Sequence, residues 1–177
     1  MIHLILGGAR SGKSRYAEEI AMKFPSVTYV ATAQAFDEAM QHRIEHHQKS
    51  RPQHWQTLEQ WQDFHEPFSS DCVLVDCITL LVSNHLLDGG DIDGLSPPEI
   101  DRLEQGIHQT IHLLLKASQG KELILVSNEV GLGLAPPYKL GNIFRDIAGR
   151  VNQLLAKEAD QVVFMVSGLP LQLKGES

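Results

Sequence analysis

Apolar runs and amphipathic stretches alternate along this chain. Ile2 to Leu6 is an apolar run that predicts a buried strand, and between Lys13 and Phe24 the apolar residues Ala17, Ile20, Ala21 and Phe24 recur at the spacing of one helical face. Pro25 stops that helix. Val27 to Ala31 then predicts a β-branched strand that ends in Thr32-Ala33-Gln34. Asp37 caps a helix expected to run to about Lys49, in which Met40, Ile44 and His47 fall at i, i+4 and i+7 and His46 lies one step round. Arg51-Pro52 ends it, and Trp55 to Phe64 fits either a short helix or irregular structure.

Val73-Leu74-Val75-Asp76 is an apolar strand closed by an acid. Cys77 to Leu87 reads as a buried strand end leading into a helix, and Asp88 to Pro98, with Gly89, Gly90 and Gly94, as a loop. A helix from Glu99 to about Ser118 carries Ile100, Leu103, Ile107, Ile111 and Leu114 as one stripe. His108 and His112 lie four apart on it, but without a third ligand in view they read as surface histidines. Leu123 to Ser127 predicts a strand, Asn142 to Ala156 a helix and Val162 to Val166 a strand. Leu171 to Lys174 forms a short last strand of unassigned direction. Such alternation without internal repeats implies an α/β fold with a mostly parallel sheet covered on both faces.

Composition narrows the class. A chain of 177 residues suits one core and one domain, 1–177, and 42% hydrophobic with 21% charged residues is ordinary for a globular protein. The net charge of −7 argues against a nucleic-acid partner, so a nucleotide site must gather positive charge locally, as Arg10, Lys13 and Arg15 do. Cys72 and Cys77 are the only cysteines and, on one extended run, would stand about 16 Å apart, too far to bridge. No disulfide framework, no secretory leader and no run of about 18 apolar residues lead to the expectation of a cytoplasmic protein without membrane insertion.

The candidate chemistry starts at Gly7-Gly8-Ala9-Arg10-Ser11-Gly12-Lys13-Ser14, a full match to G-x-x-x-x-G-K-[ST] set between predicted strand and predicted helix. Glycines let backbone N–H groups face phosphate oxygens, Lys13 reaches the β- and γ-phosphates, and Ser14 can hold Mg²⁺. The helix adds its positive end. Asp76, closing the third predicted strand, is placed as a second Mg²⁺ holder. The fold expected is therefore a three-layer αβα P-loop NTPase fold with a mostly parallel central sheet, RecA-like, in which the loop, Thr32 to Gln34, Asp76 and Asn128-Glu129 fall at the C-terminal ends of strands.

GGARSGKS, TAQ, RIEHHQKSRP, VDCIT, NEVG and FRDIAGRVNQ occur in that order. Together they resemble the bifunctional adenosylcobinamide kinase/adenosylcobinamide-phosphate guanylyltransferase family of cobalamin biosynthesis, over Ile2 to about Gly168. The resemblance implies that ATP or GTP phosphorylates the aminopropanol hydroxyl of adenosylcobinamide and that GTP then donates GMP to that phosphate, releasing pyrophosphate. The GMP travels on a histidine in the family, and His47 matches it. Gly7 to Ser14, Thr32, Ala33 and Gln34, then Gln48, Lys49, Ser50 and Arg51, and Glu59 and Asp76 match positions associated with GTP. The family often has Glu where Asp76 stands. The resemblance also implies a homotrimer.

The residue chemistry agrees. Neutral imidazole is a nucleophile, its ordinary pKa near ~6.5 leaves it mostly neutral in the cytoplasm, and Lys49 and Arg51 nearby would favour that form. Two other readings compete: a simple P-loop small-molecule kinase with incidental histidines, and a nucleotide-binding regulatory module. An N-K-x-D guanine-reading motif, as in the switch GTPases, is absent from the chain, which weakens the second.

Overall fold

A computed structural model describes residues 1–34, 52–90 and 92–175. The strands are β1 (Ile2–Gly7), β2 (Val27–Ala31), β3 (Gln56–Glu59), β4 (Cys72–Asp76), β5 (Glu122–Asn128), β6 (Gln161–Val166) and β7 (Leu169–Lys174). The helices are α1 (Lys13–Ala21), α2 (Ile78–Asp88), α3 (Pro97–Ala117) and α4 (Lys139–Glu158), with a 3₁₀ turn at Ile92–Gly94. They build one seven-stranded sheet in the order β3-β2-β4-β5-β1-β6-β7, parallel except for β7.

Side-chain alternation divides the core between the two faces. Leu4, Leu6, Val73, Val75, Leu123 and Leu125 point to one side, where Ile78, Leu81, Ile107, Ile111, Ile147 and Val151 of α2, α3 and α4 cover them. Ile5, Tyr29, Leu74, Ile124 and Val126 point to the other, against Ala17 and Ala21 of α1. Small residues there let the helix approach the sheet closely. This three-layer sandwich, with one strand between the P-loop strand β1 and the acid-bearing strand β4, is the RecA-like form of the P-loop NTPase fold.

Several expected boundaries shift. α1 ends at Ala21 rather than Phe24, because the chain tightens into turns through Lys23 N–H to Ile20 O and Phe24 N–H to Ala21 O. Trp55 to Phe64 contains neither a helix nor irregular structure alone: Gln56–Glu59 pairs with the open side of β2, Thr28 to Gln56 through Ala31 to Glu59. α2 follows β4 directly after Cys77, so the buried run Cys77 to Leu87 is almost wholly helical. α3 starts two residues early, at Pro97, where Glu99 Oε2 accepts hydrogen bonds from Ser96 N (2.8 Å) and Ser96 Oγ (2.5 Å). α4 starts at Lys139, three residues before Asn142. The last strand proves antiparallel, joined to β6 by a two-residue turn whose Ser167 (φ 52°) and Gly168 (φ 85°) both take positive φ. Cys72 and Cys77 are buried and free. The helix expected from Asp37 to Lys49 lies outside the described residues.

Candidate active site

The phosphate loop hangs between β1 and α1 at the C-terminal edge of the sheet. Gly7 (φ 152°) must be glycine: a Cβ there would lie 2.6 Å from Met165 O and 2.7 Å from Ser11 Oγ. Gly12 (φ 95°) caps α1 in a left-handed conformation, so the helix N-terminus faces the loop. Two bonds tie the loop to its neighbours: Glu129 N–H to Gly7 O at 3.0 Å, and Gly168 N–H to Ser11 O at 2.9 Å. Ser11 Oγ is buried under the loop with no hydrogen-bond partner among the described residues.

Lys13 is 7% exposed, and its ammonium donates to Gly8 O at 2.6 Å. Burial lowers its pKa below the ordinary lysine value, and the nearby Cys77 and Asp76 act in the opposite direction. Asp76 is half-buried, and its Oδ2 accepts a hydrogen bond from the Tyr29 hydroxyl at 2.8 Å. Ser14 lies in the first turn of α1.

Thr32 is fully engaged at the strand ends. Its Oγ1 accepts from Cys77 N and donates to Cys77 O, both at 2.8 Å, and its own carbonyl accepts from Asn84 Nδ2 at 2.7 Å. Burial and the Asp76 charge push the Cys77 thiol up to about 11. Beyond Cys77, Thr79 Oγ1 accepts from Asn128 Nδ2 at 2.8 Å, and Asn152 Nδ2 donates to Asn128 O at 3.1 Å.

The sequence-expected residues therefore divide into three groups. Gly7, Gly8, Ala9, Arg10, Ser11, Gly12, Lys13 and Ser14 stand with Asp76, and Thr32 to Gln34 continue from β2 at the same edge of the sheet. Glu59 is exposed at the end of the edge strand β3, four strands or about 19 Å from β1. His46, His47, Gln48, Lys49, Ser50 and Arg51 lie outside the described residues. Tyr29 and Asn84 lie outside the quoted motifs, and Thr79 and Asn152 lie within VDCIT and FRDIAGRVNQ, where neither had been singled out.

Comparisons with known proteins place the chain in a family. The family model described as "Cobinamide kinase / cobinamide phosphate guanyltransferase" matches residues 3–173. The chain belongs to this family. The cobinamide kinase / cobinamide phosphate guanyltransferase assignment makes it an enzyme of two transfers, kinase and guanylyltransferase, in cobalamin biosynthesis. It is 46% identical over 184 residues to "Bifunctional adenosylcobalamin biosynthesis protein CobU" of Escherichia coli (strain K12), covering 98% of this chain and 100% of that one. The protein of the same name from Salmonella typhimurium is 43% identical over 184 residues, with the same coverage. "Bifunctional adenosylcobalamin biosynthesis protein CobP" of Pseudomonas aeruginosa is 42% identical over 182 residues, covering 99% of each. Among solved structures the chain is similar to a prototypical ATPase from the type III secretion system of pathogenic bacteria, at 11% identity and a TM-score of 0.46, covering 97% of this chain and 56% of that one.

Proposed function

We propose that one catalytic domain, 1–177, uses the edge formed by Gly7–Ser14, Thr32–Gln34 and Asp76 for both transfers. First the γ-phosphoryl group of ATP or GTP passes to the aminopropanol hydroxyl oxygen of adenosylcobinamide, the nucleoside diphosphate leaves and the hydroxyl proton goes to solvent. Then His47 attacks the α-phosphorus of GTP, breaking the bond to the bridging oxygen and releasing pyrophosphate. The phosphate of adenosylcobinamide phosphate finally displaces the histidine from that phosphorus, giving adenosylcobinamide-GDP. Gln48, Lys49, Ser50, Arg51 and Glu59 complete the GTP site in this reading.

The carrying observation is that the G-x-x-x-x-G-K-[ST] pattern occurs once in the chain and its lysine sits beside Asp76. Each transfer develops charge on phosphate oxygens, and Lys13 and the loop N–H groups neutralise it in both. Ser14 and Asp76 fit a magnesium ion: one hydroxyl and one carboxylate are hard oxygen donors, and that ion takes few protein ligands beside phosphate and water. When bound it supplies further neutralisation of phosphate charge.

The enzyme works in the cytoplasm on corrinoid and nucleotide, without nucleic acid; no described helix is long and apolar enough to cross a membrane. It assembles as a homotrimer, a reading supported by the exposed apolar stripe Leu169, Leu171 and Leu173 on the edge strand β7.

The test is GTP labelled at the α-phosphate. The wild type is expected to acquire covalent GMP as an acid-labile, base-stable phosphoramidate that maps to His47. His47→Ala should lose the adduct and the GDP product while keeping most of the kinase step, which needs no histidine nucleophile. Label that survives in His47→Ala refutes the histidine assignment; no adduct in the wild type favours the simple kinase.

A further inference from the structure

The two halves of the phosphate site stand on strands that are not neighbours. β1 carries the loop, β4 carries Asp76, and β5 lies between them. Backbone pairing joins β4 to β5 only as far as Asp76 and Val126, whereas β5 and β1 stay paired to Asn128 and Gly7. Past Asp76, then, the paired backbone no longer holds the acid's strand in register with the loop's.

Side chains continue what the backbone leaves off. Thr32 Oγ1 clamps Cys77 from the β2 side through its N–H and its carbonyl. On the β5 side Thr79 Oγ1 lies 3.1 Å from Cys77 Sγ and accepts from both Asn128 Nδ2 (2.8 Å) and Asn128 N (3.3 Å). One residue on, Glu129 N–H donates to Gly7 O, where the loop begins. Thr32, Cys77 and Thr79 are buried, so these bonds do not compete with water. Helix α4 locks the far end: Asn152 Nδ2 donates to Asn128 O while its Oδ1 accepts from Ser127 Oγ at 2.7 Å. A row of side chains thus runs Thr32, Cys77, Thr79, Asn128 across β2, β4 and β5 to the foot of the loop.

We propose that Thr79 is a positioning residue, whose hydroxyl joins Cys77 to Asn128 and thereby sets Asp76 against the Gly7–Ser14 loop for both transfers. The inference rests on the use of that one edge for both steps. Nucleotide affinity comes from the loop N–H groups and Lys13, which Thr79 does not touch. Alignment of the acid with the phosphates matters in the transition state, where a misplacement of about 1 Å costs on the order of 100-fold. Loss of the hydroxyl therefore falls on kcat rather than on KM.

Thr79→Val keeps the shape and removes the hydroxyl; Thr79→Ser keeps the hydroxyl. Thr79→Val is expected to lower kcat at least about tenfold in both the kinase and the guanylyl assay, with nucleotide KM within about threefold, and Thr79→Ser to recover to within about threefold of wild type. If Thr79→Val does not fold, Asn128→Ala carries the test with the same split, and in the Thr79→Ser background it should cost no more than alone. Amide hydrogen exchange of the substrate-free protein gives a readout that needs no cobinamide: exchange across Gly7–Ser14 should quicken in Thr79→Val or Asn128→Ala and not in Thr79→Ser. Unchanged kcat and unchanged loop exchange in Thr79→Val overturn the proposal, as does a Thr79→Ser enzyme as impaired as Thr79→Val. A wild type inactive on cobinamide overturns the functional reading instead, and loop exchange then decides the role of Thr79 by itself.

Discussion

At Lys13 the needs of stability and of chemistry oppose each other. The side chain is buried, and burial disfavours its charge, so its pKa in the folded protein falls below that of a free lysine. Between those two pKa values the unfolded chain binds more protons than the folded one, so the nucleotide-free protein gains stability as pH rises through that interval. Lys13→Met removes the buried charge and keeps the length of the stem. It should therefore raise the Tm of the nucleotide-free protein at neutral pH by roughly 3 °C while abolishing both transfers, and its stability should lack the alkaline gain. Thermal unfolding from pH 7 to 10 checks this; a lower Tm for Lys13→Met at pH 7 would show that the bond to Gly8 O outweighs the buried charge. The lysine was legible in the sequence because a P-loop is contiguous, with spacing that carries its geometry. Thr32, Cys77, Thr79 and Asn128 stand in the TAQ, VDCIT and NEVG segments, but the hydrogen bonds that join them were not legible, because they link positions 45 to 51 residues apart and no local spacing encodes them.

Elements were legible where burial imposes a period. β1, β2, β4, β5 and β6 are apolar runs because helices cover both faces of the sheet, and α3 declared itself through Ile107, Ile111 and Leu114, all fully buried. β3 was not legible: it is an edge strand, Gln56, Thr57 and Glu59 are exposed, and only pairing with β2 makes it extended. The direction of β7 hid in Ser167-Gly168, a turn signal whose meaning depends on the pairing partner. The start of α3 was written locally as Ser96-Pro97-Pro98-Glu99. Ser96→Ala removes the hydroxyl bond to Glu99 and should lower the urea midpoint at neutral pH. Those bonds hold the Glu99 carboxyl below its ordinary 4.5. A depressed folded pKa stabilises above the unfolded value and loses that effect as pH falls through the folded one. The difference in urea midpoint between wild type and Ser96→Ala is expected to be full at pH 7 and to shrink as pH drops below 4.5. A pH-independent difference would assign the effect to something other than the Ser96–Glu99 contact.

For the whole molecule, the deciding surface is the uncovered end of the sheet. β7 closes one edge, and Leu169, Leu171 and Leu173, at 71%, 54% and 58% exposure, alternate along it with Pro170, Gln172 and Lys174. Leu171 pairs with Phe164 and Leu169 with Val166, so these residues extend the α2–α4 face of the sheet past its helical cover. An edge strand with an apolar stripe and open backbone groups associates unless it is blunted by charge or covered. Lys174 is the only charged residue on β7, and its ammonium is turned inward to Ala156 O and Lys157 O at 3.0 and 2.9 Å. The proposed homotrimer gives the stripe its cover, with each copy offering β7 to a different patch of the next, as a closed threefold ring requires. Light scattering at micromolar concentration should then give three times 19.7 kDa for the wild type. The double substitution Leu169→Glu with Leu171→Glu places charge at the centre of the stripe and should give the 19.7 kDa monomer with an unchanged far-UV spectrum. A wild type that scatters as a monomer refutes the trimer. A double variant that remains trimeric moves the interface off β7, with the loop bearing Leu132 and Leu134, at 80% and 97% exposure, as the next apolar surface to substitute.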